Sequence, residues 1–431
     1  MKVLGLDIGT TTISAVVVED GRSLGGVTRK NDSFISTENP WERIQSPAYI
    51  RENALEMVQA LVAEHPDIAC IGITGQMHGI LYLDQKGNAV SPLYTWQDAR
   101  GNQPYQNGAT YARYLSEASG YPLASGYGLV THFYNMVMGC VPADAAKLCT
   151  VQDYIAMTLA GACEPVTDTT DAASLGFFDV KAGSFDIGAL VQLGIDPGVL
   201  PKISNGCIGY YKNIRVYMAI GDNQASFYGA TRGDLSAILV NVGTGSQFSA
   251  YTEDYTECNG LEVRPFPGKG YLLVGASLCG GRAYALLEKF YRSVAEACGL
   301  ELDSCYDMMN QLLETEAKPR DIPKIMPLFQ GTRSNPELRG SILNLNPDNF
   351  NPIHMTWAML VGMAEELCGL YRIYRGKIDS RPQRLIGSGN GLRKNVHFQK
   401  VVSEQFEMPL VLSECEEEAA VGAALYAAAC E

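Results

Sequence analysis

The stretch MAIGDNQASFYG places Asp222 directly after an apolar run and Gly221, ahead of a helix-like segment. A carboxylate held at such an edge can accept the proton of a hydroxyl within reach, which is the base role in phosphoryl transfer. A helix N-cap is the competing reading, because Asp is favoured there. A second acid, Asp7 in GLDIGTTT, interrupts an apolar strand just before a turn that displays Thr10, Thr11 and Thr12. Those hydroxyls and the turn amides could hold phosphate oxygens, and Asp7 could hold a cation or its water. An Asx or Ser/Thr turn would use the same residues. The pattern recurs at VNVGTGS, where Gly243 and Thr244 repeat the Gly9-Thr10 turn and Ser246 stands where Thr12 stood. Two copies favour phosphate binding, with two similar domains each offering one hairpin to a nucleotide between them.

Trp96, Asp98 and Arg100 in TWQDARG fall at i, i+2 and i+4, so an extended segment would project them from one face. An aromatic, an acceptor and a bidentate donor on one face suit a polyhydroxylated ligand. A surface ion pair beside a packed Trp is the alternative. His78, preceded by Gln76 and Met77 at a strand end, reads equally as a ligand contact or a structural histidine. In LIGSGNGLRKN, Gly387, Gly389 and Gly391 could let a base or phosphate approach the backbone. Leu392 stands where a dinucleotide fingerprint needs glycine, and no G-x-x-x-x-G-K-[ST] occurs.

These residues sit at junctions of an α/β pattern. Strands MKVLGLDIG and TISAVVVE, helix NALEMVQALVAE and strands IACIGITG and GILYLD open the chain. Inner strands without a polar face imply a sheet covered on both sides. A break at TRGDL sets the expected domains at 1–231 and 232–431. The second half repeats the alternation, with strand GYLLVGAS, the long apolar helix PIHMTWAMLVGMAEELCGLYRIY and a terminal Ala-rich helix expected to be packing.

Composition narrows the function classes. With 33 basic against 47 acidic residues and a net charge of −14, the chain lacks the clustered Lys and Arg of a nucleic-acid surface. No segment reads as a signal peptide or a membrane span, so a cytoplasmic protein without membrane attachment is expected. The twelve cysteines show no C-x-x-C pair, and most are expected to be buried thiols.

In order along the chain, GLDIGTTT, GQMHG, WQDAR, GDNQAS, VNVGTGS and GSGNGLRKN resemble the motifs of the FGGY carbohydrate kinases. The resemblance spans nearly the whole chain. It implies two duplicated actin-like, ribonuclease-H-like α/β domains with the active site in the cleft between them. It implies ATP and Mg2+ as cofactors and transfer of the γ-phosphate to the terminal hydroxyl of a ketose. By the same resemblance, Asp222 is the catalytic base, Asp7 the magnesium-associated carboxylate and Thr10, Thr11 and Thr12 the first phosphate loop. Gly243, Thr244 and Ser246 match the second phosphate loop, Gly281 a nucleotide contact, and Gly387, Ser388, Gly389 and Asn390 the adenosine loop. Gln76, Met77, His78, Trp96 and Asp98, with Asp222 and Asn223, match sugar contacts.

Four further stretches, SGYGLVTHFYN, TVQDYIAMTLAG, TDAASLGFFDV and TWQDARG, resemble the members that act on sedoheptulose. A kinase of xylulose or another pentulose is the alternative. From a different class comes a non-catalytic sugar sensor or actin-like ATPase, which would have no reason to keep both a base and a sugar set. The chain departs from the family in its Gly-Thr-Gly-Ser loop and in Arg393 and Lys394, where smaller residues are usual. A homodimer stays open.

Overall fold

The computed structural model describes residues 1–431 other than Glu316, Arg333, Ser334, Pro336 and Ser380. The chain divides into two compact units. The first comprises Met1–Asp234, Arg264–Tyr271 and Cys415–Glu431, the second Leu235–Val263 and Leu272–Glu414.

The first unit is built on a hairpin of β1 (Lys2–Ile8) and β2 (Thr12–Glu19), continued by β3 (Arg22–Lys30) and the helix α1 (Pro47–Glu64). Strand β4 (Ile68–Gly75) follows, then helices α2 (Gly128–Val137), α3 (Val151–Ala160) and α4 (Thr169–Leu175). Strands β5 (Cys207–Tyr211) and β6 (Ile214–Gly221) lead into α5 (Asp222–Thr231). The sheet order is β5-β6-β4-β1-β2-β3. Strands β1, β4 and β6 are parallel neighbours, with Thr74 paired to Asp7 on one side and to Ile220 on the other. The ends of these strands therefore bring Asp7, Gln76 and Asp222 to one edge of the sheet. In an open α/β sheet the carboxyl ends of parallel strands are where ligands bind.

The apolar run of β1 is explained by burial on both faces. Leu4, Leu6 and Ile8 pack with Ile50, Ala54 and Met57 of α1, while Val3 belongs to a separate cluster on the opposite face. A third cluster, built on Tyr82, Leu129, Phe133 and Phe177, lies outside the main sheet. The strand expected from GILYLD falls in this region. Leu81–Leu83 pairs with Lys147–Cys149 in a two-stranded sheet apart from the main one.

A second sheet repeats the plan with β7 (Ala237–Val242), β8 (Ser246–Thr252), β9 (Glu262–Pro265) and β10 (Tyr271–Ser277). Helices α6 (Gly280–Ala297) and α7 (Pro352–Arg375) follow, then β11 (Arg384–Ser388), α8 (Val396–Phe406) and β12 (Leu410–Leu412). Its order is β9-β10-β8-β7-β11-β12. Again a hairpin, β7 with β8, is flanked by a parallel strand, with Asn241 paired to Ser388. The α/β duplication expected from the sequence is present as two six-stranded sheets.

The terminal helix α9 (Glu418–Ala429) is packing, as its Ala-rich sequence suggested, but its partner is the first sheet. Ala420, Val421, Ala424 and Ala427 cluster with Val3, Val16, Val18 and Cys70. The approach is close enough that a Cβ at Gly5 or Gly72 would run into the carbonyls of Ala420 and Ala423. Small residues on both sides let helix and strand backbones come together. The compact units are thus discontinuous in sequence and do not coincide with a single cut after Thr231.

The cysteine expectation needs correction. All twelve thiols are free, and six are buried while five are exposed, because several fall in loops and at helix ends such as Cys140, Cys298 and Cys430. Among the described residues no helix is long and apolar enough to cross a membrane.

Candidate active site

At the edge of the first sheet, Gly221 takes the N-cap position of α5 and Asp222 is the first helical residue, with no side-chain cap. The N-cap reading of Asp222 therefore does not hold. A carboxylate at this position is favoured by the helix dipole. Burial pushes Asp222 up to about 6, against the lowering influence of Arg264 and the Asn223 amide. Burial, followed by Asp222 and Glu417, pushes Asp7 up to about 7. The Oδ1 of Asn223 is buried without a protein partner, leaving an acceptor beside Asp222.

The turn after β1 is pinned by side chains. Asn31 donates to the Gly9 carbonyl at 2.8 Å and Gln45 to the Thr10 carbonyl at 2.9 Å. The Thr10 hydroxyl donates to Gln76 Oε1 at 3.2 Å and accepts from Trp96 Nε1 at 3.0 Å. Two expected sugar contacts thus converge on an expected phosphate residue. Thr11 and Thr12 are exposed beside it. Met77 is buried, its methyl end against Gly221. His78 adopts φ +73° and stacks on Tyr127 at 4.6 Å. Its Nδ1 lies 2.7 Å from the Ser174 carbonyl. A carbonyl only accepts, so Nδ1 carries the proton there.

The expectation that Trp96, Asp98 and Arg100 project from one face of an extended segment is not met. The segment is a turn running into the short helix Arg100–Asn102, and it separates the three. Trp96 is 48% exposed, whereas Asp98 and Arg100 are buried. Arg100 donates to both Asp98 oxygens, at 2.7 and 3.1 Å, and the Arg43 and Arg100 amides donate to them as well. The guanidinium lies 4.1 Å from the Tyr94 ring centroid and donates to Asn135 Oδ1 at 2.5 Å. With four bonds from protein donors, the Asp98 carboxylate has its accepting positions filled. It shapes the framework of the site, and Trp96 is the member of the three that faces out.

In the second unit a cavity of about 870 Å³ is lined by Gly243, Thr244, Gly281, Arg282, Asn390 and Lys394 among others. Gly389 and the stacked pair Tyr284 and Tyr306 also line it. Its lining holds two cations and no carboxylate. The N-terminus of α6 closes on the Gly-Thr turn, with the Gly281 amide donating to the Gly243 carbonyl at 2.9 Å and the Arg282 amide to Thr244 at 3.1 Å. A Cβ on Gly281 would come within 2.5 Å of that Gly243 oxygen, which is why glycine stands there. Three expected nucleotide residues face elsewhere. Ser246 is buried against Gly280, Gly387 packs on Leu392 and Leu410, and Ser388 accepts from Asn241 Nδ2 at 2.7 Å. Ser246 opens β8 and Ser388 closes β11, and both side chains are buried. Sequence reasoning missed Arg264, Arg282 and Tyr284, none of which lies in a recognisable motif. It noted Lys394 only as a departure.

Among the described residues no group of three or more His, Cys, Asp or Glu forms a metal cage. Magnesium in phosphoryl transfer commonly uses one or two carboxylates, with waters and phosphate oxygens completing its shell. Asp7, raised first by burial and then by Asp222 and Glu417, fits that kind of site.

Residues 2–229 match the N-terminal domain of the FGGY family of carbohydrate kinases, and residues 238–430 its C-terminal domain. The chain belongs to this family and is an ATP-dependent sugar phosphotransferase. It is 27% identical to mouse sedoheptulokinase, over 98% of this chain and 96% of that protein. It is 23% identical to the xylulose kinase of Staphylococcus xylosus, over 99% of this chain and 90% of that protein. The solved xylulose kinase of Rhodospirillum rubrum superposes with a TM-score of 0.82 at 21% identity, covering 100% of this chain and 90% of that one. The last comparison fixes the fold alone.

Proposed function

We propose that the chain phosphorylates the terminal hydroxyl of a ketose, with sedoheptulose preferred, and that Asp222 is the base. The observation that carries this reading is the position of Asp222 at the end of β6 and the start of α5, with a carboxyl raised to about 6. A base works best when its pKa lies near the operating pH. Asp222 would take the hydroxyl proton as the oxygen attacks the γ-phosphorus. The neighbouring Asn223 Oδ1 would accept from a second sugar hydroxyl. Gln76, Met77, His78 and Trp96 would hold the ketose in line, which is where much of the rate of such transfers arises.

Asp7 would hold magnesium, which supplies charge neutralisation on the phosphates when bound. Thr244, Gly281, Arg282, Lys394 and Asn390 would hold the nucleotide in a cavity without carboxylates to repel it. The enzyme would draw on cytoplasmic ATP, and a homodimer is testable by sedimentation.

Support for sedoheptulose over a pentulose comes from the mouse relative and from two of the resembling stretches. TWQDARG and SGYGLVTHFYN are bonded to one another through Arg100 and Asn135. The discriminating experiment compares kcat/KM for sedoheptulose, xylulose, ribulose, gluconate and glycerol in a coupled ADP-release assay. Sedoheptulose is expected to lead by tenfold or more, because unpaired polar groups in a site penalise a shorter analogue (about 10-fold or above). A lead for xylulose would move the substrate assignment to the pentulose kinases.

A further inference from the structure

The seven-residue helix α4 (Thr169–Leu175) touches both halves of the acceptor site. The Gly221 amide, immediately before Asp222, donates to Thr170 Oγ1 at 2.9 Å. Four residues along the same helix, the His78 amide donates to Ser174 Oγ at 3.0 Å, and His78 Nδ1 bonds the Ser174 carbonyl. These links span 51 and 96 residues of sequence. Thr170 and Ser174 are both buried and lie i, i+4 on one face of the helix.

The helix itself is tightly fixed. Asp168 caps it by accepting from the Thr170 amide at 2.9 Å and from the Thr170 hydroxyl at 2.7 Å. The Thr170 hydroxyl therefore has one defined donor direction, toward Asp168, and its lone pairs point at Gly221. Asp171 accepts from Gln152 of α3 at 2.8 Å. Ser174 Oγ donates to the Asp171 carbonyl at 2.7 Å, which orients its lone pairs toward the His78 amide. Both hydroxyls act as acceptors toward the site because each has its proton engaged within α4.

The arrangement explains a strained residue. His78 is a non-glycine at φ +73°, a conformation that costs on the order of 1 kcal/mol and persists only where surroundings enforce it. Two bonds from Ser174 supply that enforcement. The amide at Gly221 sits at the last position of β6, where the sheet ladder ends and an amide needs another acceptor. Thr170 supplies it and so fixes the point from which the Asp222 side chain leaves the strand.

We infer that α4 is a positioning bar for the acceptor site. Thr170 sets the base through Gly221, and Ser174 sets the sugar contact through His78, so that one rigid helix fixes the two relative to each other. Neither residue touches the reacting atoms, and both are positioning residues. The inference rests on the assignment of Asp222 as base and His78 as sugar contact. The two links make separable predictions, since displacing a base lowers turnover whereas displacing a binding residue raises KM.

The test uses the full-length chain with Thr170→Val, Thr170→Ser, Ser174→Ala and Asp222→Asn, assayed for kcat and both KM values, with thermal unfolding measured in parallel. Thr170→Val is expected to lower kcat about tenfold, with the ATP and sugar KM values within threefold, since an ångström of misplacement is enough for such losses. Thr170→Ser keeps the hydroxyl and should restore kcat to within twofold of wild type. Ser174→Ala should raise the sugar KM about fivefold, on the scale of one lost hydrogen bond, with the ATP KM unchanged. A loss shared equally by kcat and both KM values, tracking melting temperature, would mean a purely structural helix and would overturn the inference.

Thr170→Val leaves the Gly221 amide unpaired, and that variant could fail to fold. The Ser174→Ala result then decides alone, and an unchanged sugar KM overturns the proposal. Asp222→Asn separates the two levels. If it retains turnover, the base assignment falls. If it loses turnover while the Thr170 and Ser174 variants behave as wild type, only the positioning role falls.

Discussion

The two Gly-Thr turns, after β1 and after β7, share sequence and hairpin geometry but are held in different ways. The turn at Gly9–Thr12 is tied down by the side chains of Asn31, Gln45, Gln76 and Trp96. The turn at Gly243–Ser246 is exposed at Gly243 and Thr244 and held by backbone amides at the start of α6. The charges differ as well. Asp7 in the first strand corresponds by position to Asn241 in the second, each two residues before the glycine of its turn. The first unit gathers carboxylates, with Asp222 and Glu417 both adding to the burial that raises Asp7, whereas the second lines its cavity with Arg282 and Lys394 and no acid. The duplicated frame thus carries opposite charge in its two copies. The acids of the first suit a proton acceptor and a cation, and Arg282 and Lys394 of the second suit an anion.

The largest expected effect falls on the acid-rich side. Asp222→Asn should lower kcat by about 10²-fold or more, the scale of a lost general base, with both ligands still bound within a few-fold. In the wild type, a carboxyl raised to about 6 must be deprotonated to act as the proposed base. The kcat/KM profile should therefore fall as pH drops through about 6, where an ordinary carboxylate would hold activity down to about 4. A flat profile between pH 5 and 7 would detach Asp222 from the rate. Next in size is Asp7→Asn, expected to lower turnover by about 10- to 100-fold and to raise the magnesium concentration needed, as for a lost metal-site partner. The reciprocal change, Asn241→Asp, places a carboxylate at the corresponding point of the second strand. It should raise the ATP KM about tenfold through like-charge repulsion and leave the sugar KM alone. An Asn241→Asp enzyme with normal ATP affinity would break the claim that the two units are divided by charge.

Much of this division was readable from sequence, and the misses have physical causes. Asp222 after Gly221, the repeated Gly-Thr turns and the apolar β1 strand are local patterns, and the sheets are built as those patterns require. The sequence left the choice at Asp98 and Arg100 open, because the same i, i+2 spacing makes a shared face in a strand and a closed ion pair in a turn, and the pair formed is buried, with Trp96 exposed. Ser246 and Ser388 match loop motifs by position, yet both side chains are buried at the ends of their strands. The return of α9 to the first sheet is a long-range choice, visible only once Gly5 and Gly72 are seen to leave room for Ala420 and Ala423. The bonds from the Gly221 amide to Thr170 and from the His78 amide to Ser174 likewise join residues that no local window contains together.

The smallest expected effect is the sharpest test of how the two turns are held. Thr10 and Thr244 occupy equivalent positions, and sequence alone predicts that replacing either by valine weakens ATP more than the sugar. The bonds of the Thr10 hydroxyl to Gln76 and Trp96 change that expectation. Thr10→Val removes the acceptor for Trp96 Nε1 and the donor to Gln76, so it should raise the sugar KM about three- to tenfold along with that for ATP. Each lost bond contributes about 1 kcal/mol. Thr244 lines the cavity proposed for the nucleotide and is exposed, so Thr244→Val should raise the ATP KM by a similar factor and leave the sugar KM unchanged. Thr10→Ser, which keeps the hydroxyl, should return both values to near wild type. Trp96→Phe, which keeps an aromatic ring but removes the Nε1 donor and part of the indole, should reproduce the sugar defect of Thr10→Val without its full ATP defect. If Thr10→Val and Thr244→Val prove indistinguishable, with ATP alone affected by both, the side-chain ties at the first turn carry no information to the sugar site, and the two hairpins are functionally equivalent after all.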